Sequence, residues 1–241
     1  MSKRRAVILS SVRTGSTWLG ETLGQHPAIT YDEELLLEGP TVAGNTGPAV
    51  KQAYDADEAW NYIHSFVDMA TTSWHLWKLQ SYQALDPPIM GFTERLAADK
   101  KLAVIFLRRE NLFHWFTSIK VSEKLKVYTK RVGDDLPEVE PFEIDGDEIE
   151  HAMKAELAWW ELVHDLFSSR PCYIEASYEM MCHDYEGESA RIMREMQLNA
   201  VYVQTRSLKM QTRDPKRLVT NYADLCVRFS LTEFAKHGFY G

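Results

Sequence analysis

Two unbroken apolar runs, at 6–10 and 102–107, stand out from a chain in which most apolar residues are spaced three or four apart. Runs of that length, bounded by small or charged residues, predict strands buried on both faces of a parallel sheet. A shorter run at 172–174 predicts a third strand, and 74–79 a fourth with a weaker pattern. Leu112, Trp115, Phe116, Ile119, Leu125 and Tyr128 fall on one side of a helix after the second run. Ile149, Met153, Leu157, Trp160, Val163 and Phe167 repeat that spacing, which places Trp160 in the core. Strands alternating with helices imply βαβ units. The expected fold class is therefore α/β, a single-domain three-layer sandwich with a central, mostly parallel sheet. Such sheets bind ligands beyond the carboxyl ends of their strands.

The stretch 133–148 breaks the pattern with prolines and a run of acids. It predicts an acidic surface loop, either a solvated connector or a flap over an acceptor site.

Length and composition leave room for one sizeable core: 241 residues, 45% hydrophobic and 26% charged, fit one domain spanning 1–241. A formal net charge of −8 argues against nucleic acid and anionic membranes as partners, since both need a basic face. Cys172, Cys182 and Cys226 are odd in number and match no zinc spacing, so no metal and no disulfide framework are expected. A reducing cytoplasm fits that usage. The apolar stretch near the N-terminus is too short for a signal peptide, and no run is long enough for membrane insertion.

The first strand runs straight into Ser10, Ser11, Val12, Arg13, Thr14, Gly15, Ser16 and Thr17, then into a helical pattern starting at Trp18 and Leu19. A strand, a loop of small residues and a helix start gather backbone N–H groups around one point, where the helix dipole also favours an anion. Gly15 permits close approach, Ser16 and Thr17 add hydroxyls, and Arg13 adds a forked cation. The loop lacks the Gly-Lys-Ser/Thr ending of a Walker A motif, which counts against magnesium–nucleotide chemistry. An ordinary capped helix is the plain alternative.

Arg13 to Leu19 resembles the 5′-phosphosulfate loop of sulfotransferases that use 3′-phosphoadenosine 5′-phosphosulfate (PAPS), in particular the small, soluble, glutamate-base type similar to carbohydrate and tyrosine sulfotransferases. The resemblance implies a P-loop-kinase-like sulfotransferase fold, with Arg13, Thr14, Gly15, Ser16, Thr17 and Trp18 around the 5′-phosphate of PAPS and Arg13 also facing the bridging oxygen. It further implies a 3′-phosphate site at Arg109 and a hydroxyl on the next helix. Thr117 lies eight residues after Arg109 and Ser118 nine; Ser118 is the better local match, with Arg108 and Thr117 as substitutes. Tyr178, in a Tyr-Glu-Met segment, corresponds to a tyrosine near the nucleotide. Lys209 is the corresponding C-terminal cation, although Lys216 and Arg217 are equally basic.

The same resemblance assigns the general base to Glu34, which lies 21 residues after Arg13, with Asp32 and Glu33 as near neighbours. His75 and His114 are weaker candidates for a base, each beside a tryptophan. Lys78 matches a lysine-bearing strand that ends near the transferred group; otherwise it is a snorkelling surface lysine. The implied reaction is in-line transfer of the sulfuryl group of PAPS, without metal, to a hydroxyl of a small-molecule or glycan acceptor. A P-loop-related kinase or nucleotide phosphotransferase, or an inactive nucleotide-binding relative, is the competing expectation.

Overall fold

The structure is a computed structural model, and it describes residues 3–36, 55–85, 91–128, 130–131, 134–204, 207–208 and 214–239. In chain order the elements are β1 (Arg4–Ser10), α1 (Ser16–Leu23), β2 (Ile29–Glu34), α2 (Ala56–Met69), β3 (Trp74–Gln80), α3 (Ser81–Ala84), α4 (Phe92–Ala98), β4 (Leu102–Arg108), α5 (Leu112–Leu125), β5 (Lys130–Arg131), α6 (Gly146–Phe167), β6 (Tyr173–Ser177), α7 (Tyr178–His183), α8 (Tyr185–Glu195), β7 (Ser207–Leu208), α9 (Pro215–Leu218) and α10 (Tyr222–Phe229). They divide between two compact units, Met1–Arg108 with Leu162–Thr205, and Arg109–Glu161 with Arg206–Gly241.

The first unit is built on one parallel sheet of five strands in the order β2-β3-β1-β4-β6. The four strands legible in the sequence are present; β2 is the addition. Along β1, Ala6 and Ile8 join a core with Leu19 and Leu23 of α1 and with Ile192 and Met193 of α8. Val7 and Leu9, which point to the opposite face, are equally buried. Burial on both faces is why the run is continuously apolar rather than alternating. Each such Leu or Ile contributes about 1.5–3 kcal/mol relative to exposure.

Strand order fixes where a ligand can sit. From β1 the chain crosses to β2 on one side of the sheet, while β4 returns on the other side of β1. The order therefore reverses at the carboxyl end of β1, and the loop leaving β1 opens into the crevice created there.

The second unit has its own core, in which Phe113 and Phe116 of α5, Ile149 and Met153 of α6, and Leu225 and Phe229 of α10 meet. β5 and β7 pair antiparallel. Over 134–145 the chain is an irregular segment whose acids are exposed, and the helix α6 takes over from Gly146. Val139 and Ile144 are buried, Phe142 bridges to Val219, and Asn221 both accepts from the Ile144 N–H and donates to its carbonyl, at 3.1 and 2.8 Å. The helix begins at Gly146 because the Asp145 carboxylate accepts from the N–H groups of Asp147 and Glu148 at 2.8 and 3.0 Å. Those two bonds hold the Asp145 carboxyl below its usual range. Trp160 packs half-buried against this core, donating from Nε1 to Glu156 Oε1 at 2.7 Å, while its neighbour Trp159 is the more deeply buried ring. The three cysteines are free. Among the described residues no helix is long and apolar enough to cross a membrane.

Candidate functional site

The loop after β1 is shaped by two left-handed residues, Arg13 at φ 63° and Gly15 at φ 88°. Gly15 is required twice over. Its φ lies where side chains are disfavoured, and a Cβ there would come 2.9 Å from Cδ2 of Tyr178. Thr14 is buried and donates its hydroxyl to the Ser11 carbonyl at 2.8 Å, so its side chain closes the loop itself. Ser16 opens α1 behind Gly15, and Trp18 stacks on Tyr185 at 5.1 Å and meets Tyr178 edge-on at 6.2 Å. Tyr178 thus packs beside the loop after β1.

Glu34 reaches the same place through an irregularity in β2. Tyr31 pairs with Leu76, yet Glu34 pairs with Lys78, so β2 holds one more residue than β3 over that interval. The extra residue is accommodated where Glu33 takes a φ of 30°. In a regular strand Asp32 and Glu34 would share a face. The bulge separates them. Asp32 accepts from His75 Nε2 at 2.6 Å, whereas Glu34 meets Lys78 Nζ at 2.9 Å, and positions 75 and 78 lie on opposite faces of β3. His75 is fully buried against Trp77, at 5.5 Å between ring centres.

Lys78 is 4% exposed, and so is no snorkelling lysine. Its ammonium donates to Thr17 Oγ1 at 2.6 Å while facing Glu34. One cation thereby ties the loop to the carboxylate. Gln80, two residues on and on the same face, donates from Nε2 to Ser16 Oγ at 3.0 Å and, at a longer 3.5 Å, to Glu34 Oε1. Its Oε1 accepts from Ser10 at 3.2 Å. Gln83 accepts from the Gln80 N–H at 2.8 Å and reaches Glu34 Oε2 at 3.4 Å, and Tyr82 donates its hydroxyl to that same oxygen at 3.1 Å. Burial, and after it the charge and hydrogen bond of Glu34, raise the Tyr82 phenol far above its ordinary range, so it remains a donor.

Arg13, Thr14, Gly15, Ser16, Thr17, Trp18, Glu34, Lys78 and Tyr178 all belong to the first unit. Arg109 and Ser118 belong to the second. Arg109 is buried. Thr117 is buried with its hydroxyl donated to the Phe113 carbonyl at 2.8 Å, and Ser118 is half-buried. Arg108, the substitute for Arg109, lies 3.5 Å from Glu175 in the first unit. Lys209 lies outside the described residues.

Gln80, Tyr82 and Gln83 were not legible as site residues. A strand through Lys78 does place residue 80 on the lysine's face, but the polar pair Gln80 and Ser81 reads as the end of a strand rather than as part of a site.

No family model and no curated protein matches the sequence significantly. Solved structures do match. A sulfotransferase from Alicyclobacillus acidocaldarius aligns over 98% of this chain and 95% of its own, with a TM-score of 0.58 at 13% identity. The sulfotransferase domain of the curacin biosynthetic pathway gives 0.55 at 13% identity over 98% and 95%. The sulfotransferase domain of the Synechococcus PCC 7002 olefin synthase gives 0.53 at 16% identity over 90% and 83%. The chain has the fold of these sulfotransferases.

Proposed function

We propose that this chain is a PAPS-dependent sulfotransferase that acts on a hydroxyl acceptor with Glu34 as general base. The observation that carries the reading is the ion pair of Lys78 with Glu34, at 2.9 Å, within a network that also includes Thr17 of the phosphate loop, 2.6 Å from the same ammonium. A base and a phosphate-binding loop joined through one buried cation suit a reaction in which a proton leaves the acceptor as negative charge grows on a phosphate.

The loop residues fit the nucleotide. Gly15 leaves room where a Cβ would meet Tyr178, and the start of α1 together with Arg13 offers donors to an anion. Bound PAPS supplies the sulfuryl group and a phosphate leaving group. Glu34 takes the proton from the acceptor oxygen, a contribution of about 10²- to 10⁴-fold. Lys78 holds that carboxylate in place and, with Arg13, offsets charge on the leaving oxygen. Arg109 and Ser118 are assigned to the 3′-phosphate, and the cytoplasm is the proposed location.

Calorimetric titration with 3′-phosphoadenosine 5′-phosphate (PAP), against ADP with and without magnesium, tests the reading. Tight binding of PAP with weak binding of ADP is expected. Absence of PAP binding, or binding of ADP that depends on magnesium, would overturn it.

A further inference from the structure

Glu34 accepts from four side chains, and they are not alike: Lys78, Gln80 and Gln83 are buried, whereas Tyr82 is 50% exposed. The buried three are tied elsewhere as well, to Thr17, to Ser10 and Ser16, and to the Gln80 backbone. Among these donors of the described residues, Tyr82 is the exposed one, and its side chain can give way to a ligand without opening the core. A general base must accept from the acceptor hydroxyl within hydrogen-bond reach, so one of its lone-pair positions must be given up by a resident donor. An apolar side chain stands beside it: Leu85, three residues on and 53% exposed, follows Tyr82 on the same side of the α3 turn.

We propose that Tyr82 marks the acceptor subsite: the acceptor hydroxyl takes over the hydrogen bond of the Tyr82 hydroxyl to Glu34 Oε2, and the Tyr82 ring and Leu85 form the wall for an alcohol carried on an apolar ring. The inference rests on Glu34 being the base. In the transfer the acceptor O–H proton passes to Glu34, the new O–S bond forms, the S–O bond to the phosphate breaks, and its electron pair leaves on the phosphate. Tyr82 is chemically unchanged; it sets which hydroxyl reaches the base and how strongly it competes.

The test uses 2-naphthol as probe, titrated by fluorescence into the full chain saturated with PAP, with methyl β-glucoside as the polar comparison. Tyr82→Phe removes the competing donor and keeps the ring, so 2-naphthol should bind about threefold or more tightly. Tyr82→Ala removes the wall, and binding should weaken about tenfold. PAP affinity should be the same in both variants. Unchanged or weaker 2-naphthol binding in Tyr82→Phe, unchanged binding in Tyr82→Ala, or a wild-type protein that takes the glucoside but not 2-naphthol would each overturn the proposal. Failure to bind PAP would instead reject the transferase reading, and full turnover of 2-naphthol by Glu34→Gln would reject Glu34 as base.

Discussion

Lys78 faces Glu34 at 2.9 Å because β2 carries one residue more than β3 between Tyr31 and Glu34. Were the same residues paired in regular register, with no bulge, Glu34 would fall opposite Leu79, and its side chain would lie on the other face of the sheet from the ammonium. The placement of the candidate base is thus a matter of register as much as of residue type.

Glu34→Gln keeps the size and much of the hydrogen bonding of the side chain but cannot take a proton. Turnover should fall about 10²-fold or more, with the PAP dissociation constant within about twofold of the parent. Steady-state kinetics and calorimetry on the same preparation check both statements.

Lys78→Met removes the charge that joins Thr17 to Glu34 and leaves a straight apolar chain. The expected loss is about 10² in kcat. Retention of full kcat would show that the lysine only packs.

Gly15→Ala introduces a Cβ at φ 88° and 2.9 Å from Tyr178. A left-handed backbone costs a non-glycine residue about 1–2 kcal/mol, and the contact adds to it. PAP should bind about tenfold more weakly or worse while the far-ultraviolet circular dichroism is unchanged.

Arg109→Ala tests the second phosphate site independently of the first. Removing one or two charge-assisted hydrogen bonds, each worth about 1.5–3 kcal/mol, should weaken PAP by tenfold or more and leave adenosine 5′-phosphosulfate, which lacks the 3′-phosphate, nearly unaffected. Equal loss for both ligands would remove Arg109 from that role.

Tyr31 provides a pH signature of the fold. Its hydroxyl is buried with no hydrogen-bond partner among the described residues, and burial, followed by the charges of Glu33, Glu34, Glu21 and Asp32, raises the phenol well above its ordinary range. The unfolded chain loses this proton first. The stability contributed is therefore complete below about pH 10, the ordinary tyrosine value, and falls as the pH rises from there towards the folded-state value. Tyr31→Phe should be as stable as the parent at pH 7, or more so by about 1 kcal/mol, and its melting temperature should decline less above pH 10.

Much of this architecture was legible in the chain. β1 and β4 are buried on both faces, so their sequences are apolar without interruption, and the loop after β1 follows from Arg13, Gly15 and Thr17 standing where a strand becomes a helix. β2 was not legible. Its sequence, Ile-Thr-Tyr-Asp-Glu-Glu, has only its first residue buried, and it reads as an acidic turn because a terminal strand with a bulge shows neither a run nor an alternation. Position along the chain pointed to Glu34, but the bulge that turns it towards Lys78 comes from backbone geometry, which residue types do not encode directly. The acidic segment was legible as a loop as far as residue 145, but its anchors were not. Its acids are exposed, while Val139 and Ile144 anchor it and Asp145 caps a helix, which isolated apolar residues among acids do not signal.

The bulge has a second consequence, for solubility. β2 ends the strand order of the sheet, and a regular terminal strand offers unpaired N–H and C=O groups to any neighbouring chain. A strand thrown out of step at Glu33, with acids on both sides of the break, is a poor template for such intermolecular pairing. Straightening it by deleting Glu33 would keep the Glu34 carboxylate opposite Lys78 in a regular register, and would leave the sheet edge open to self-association.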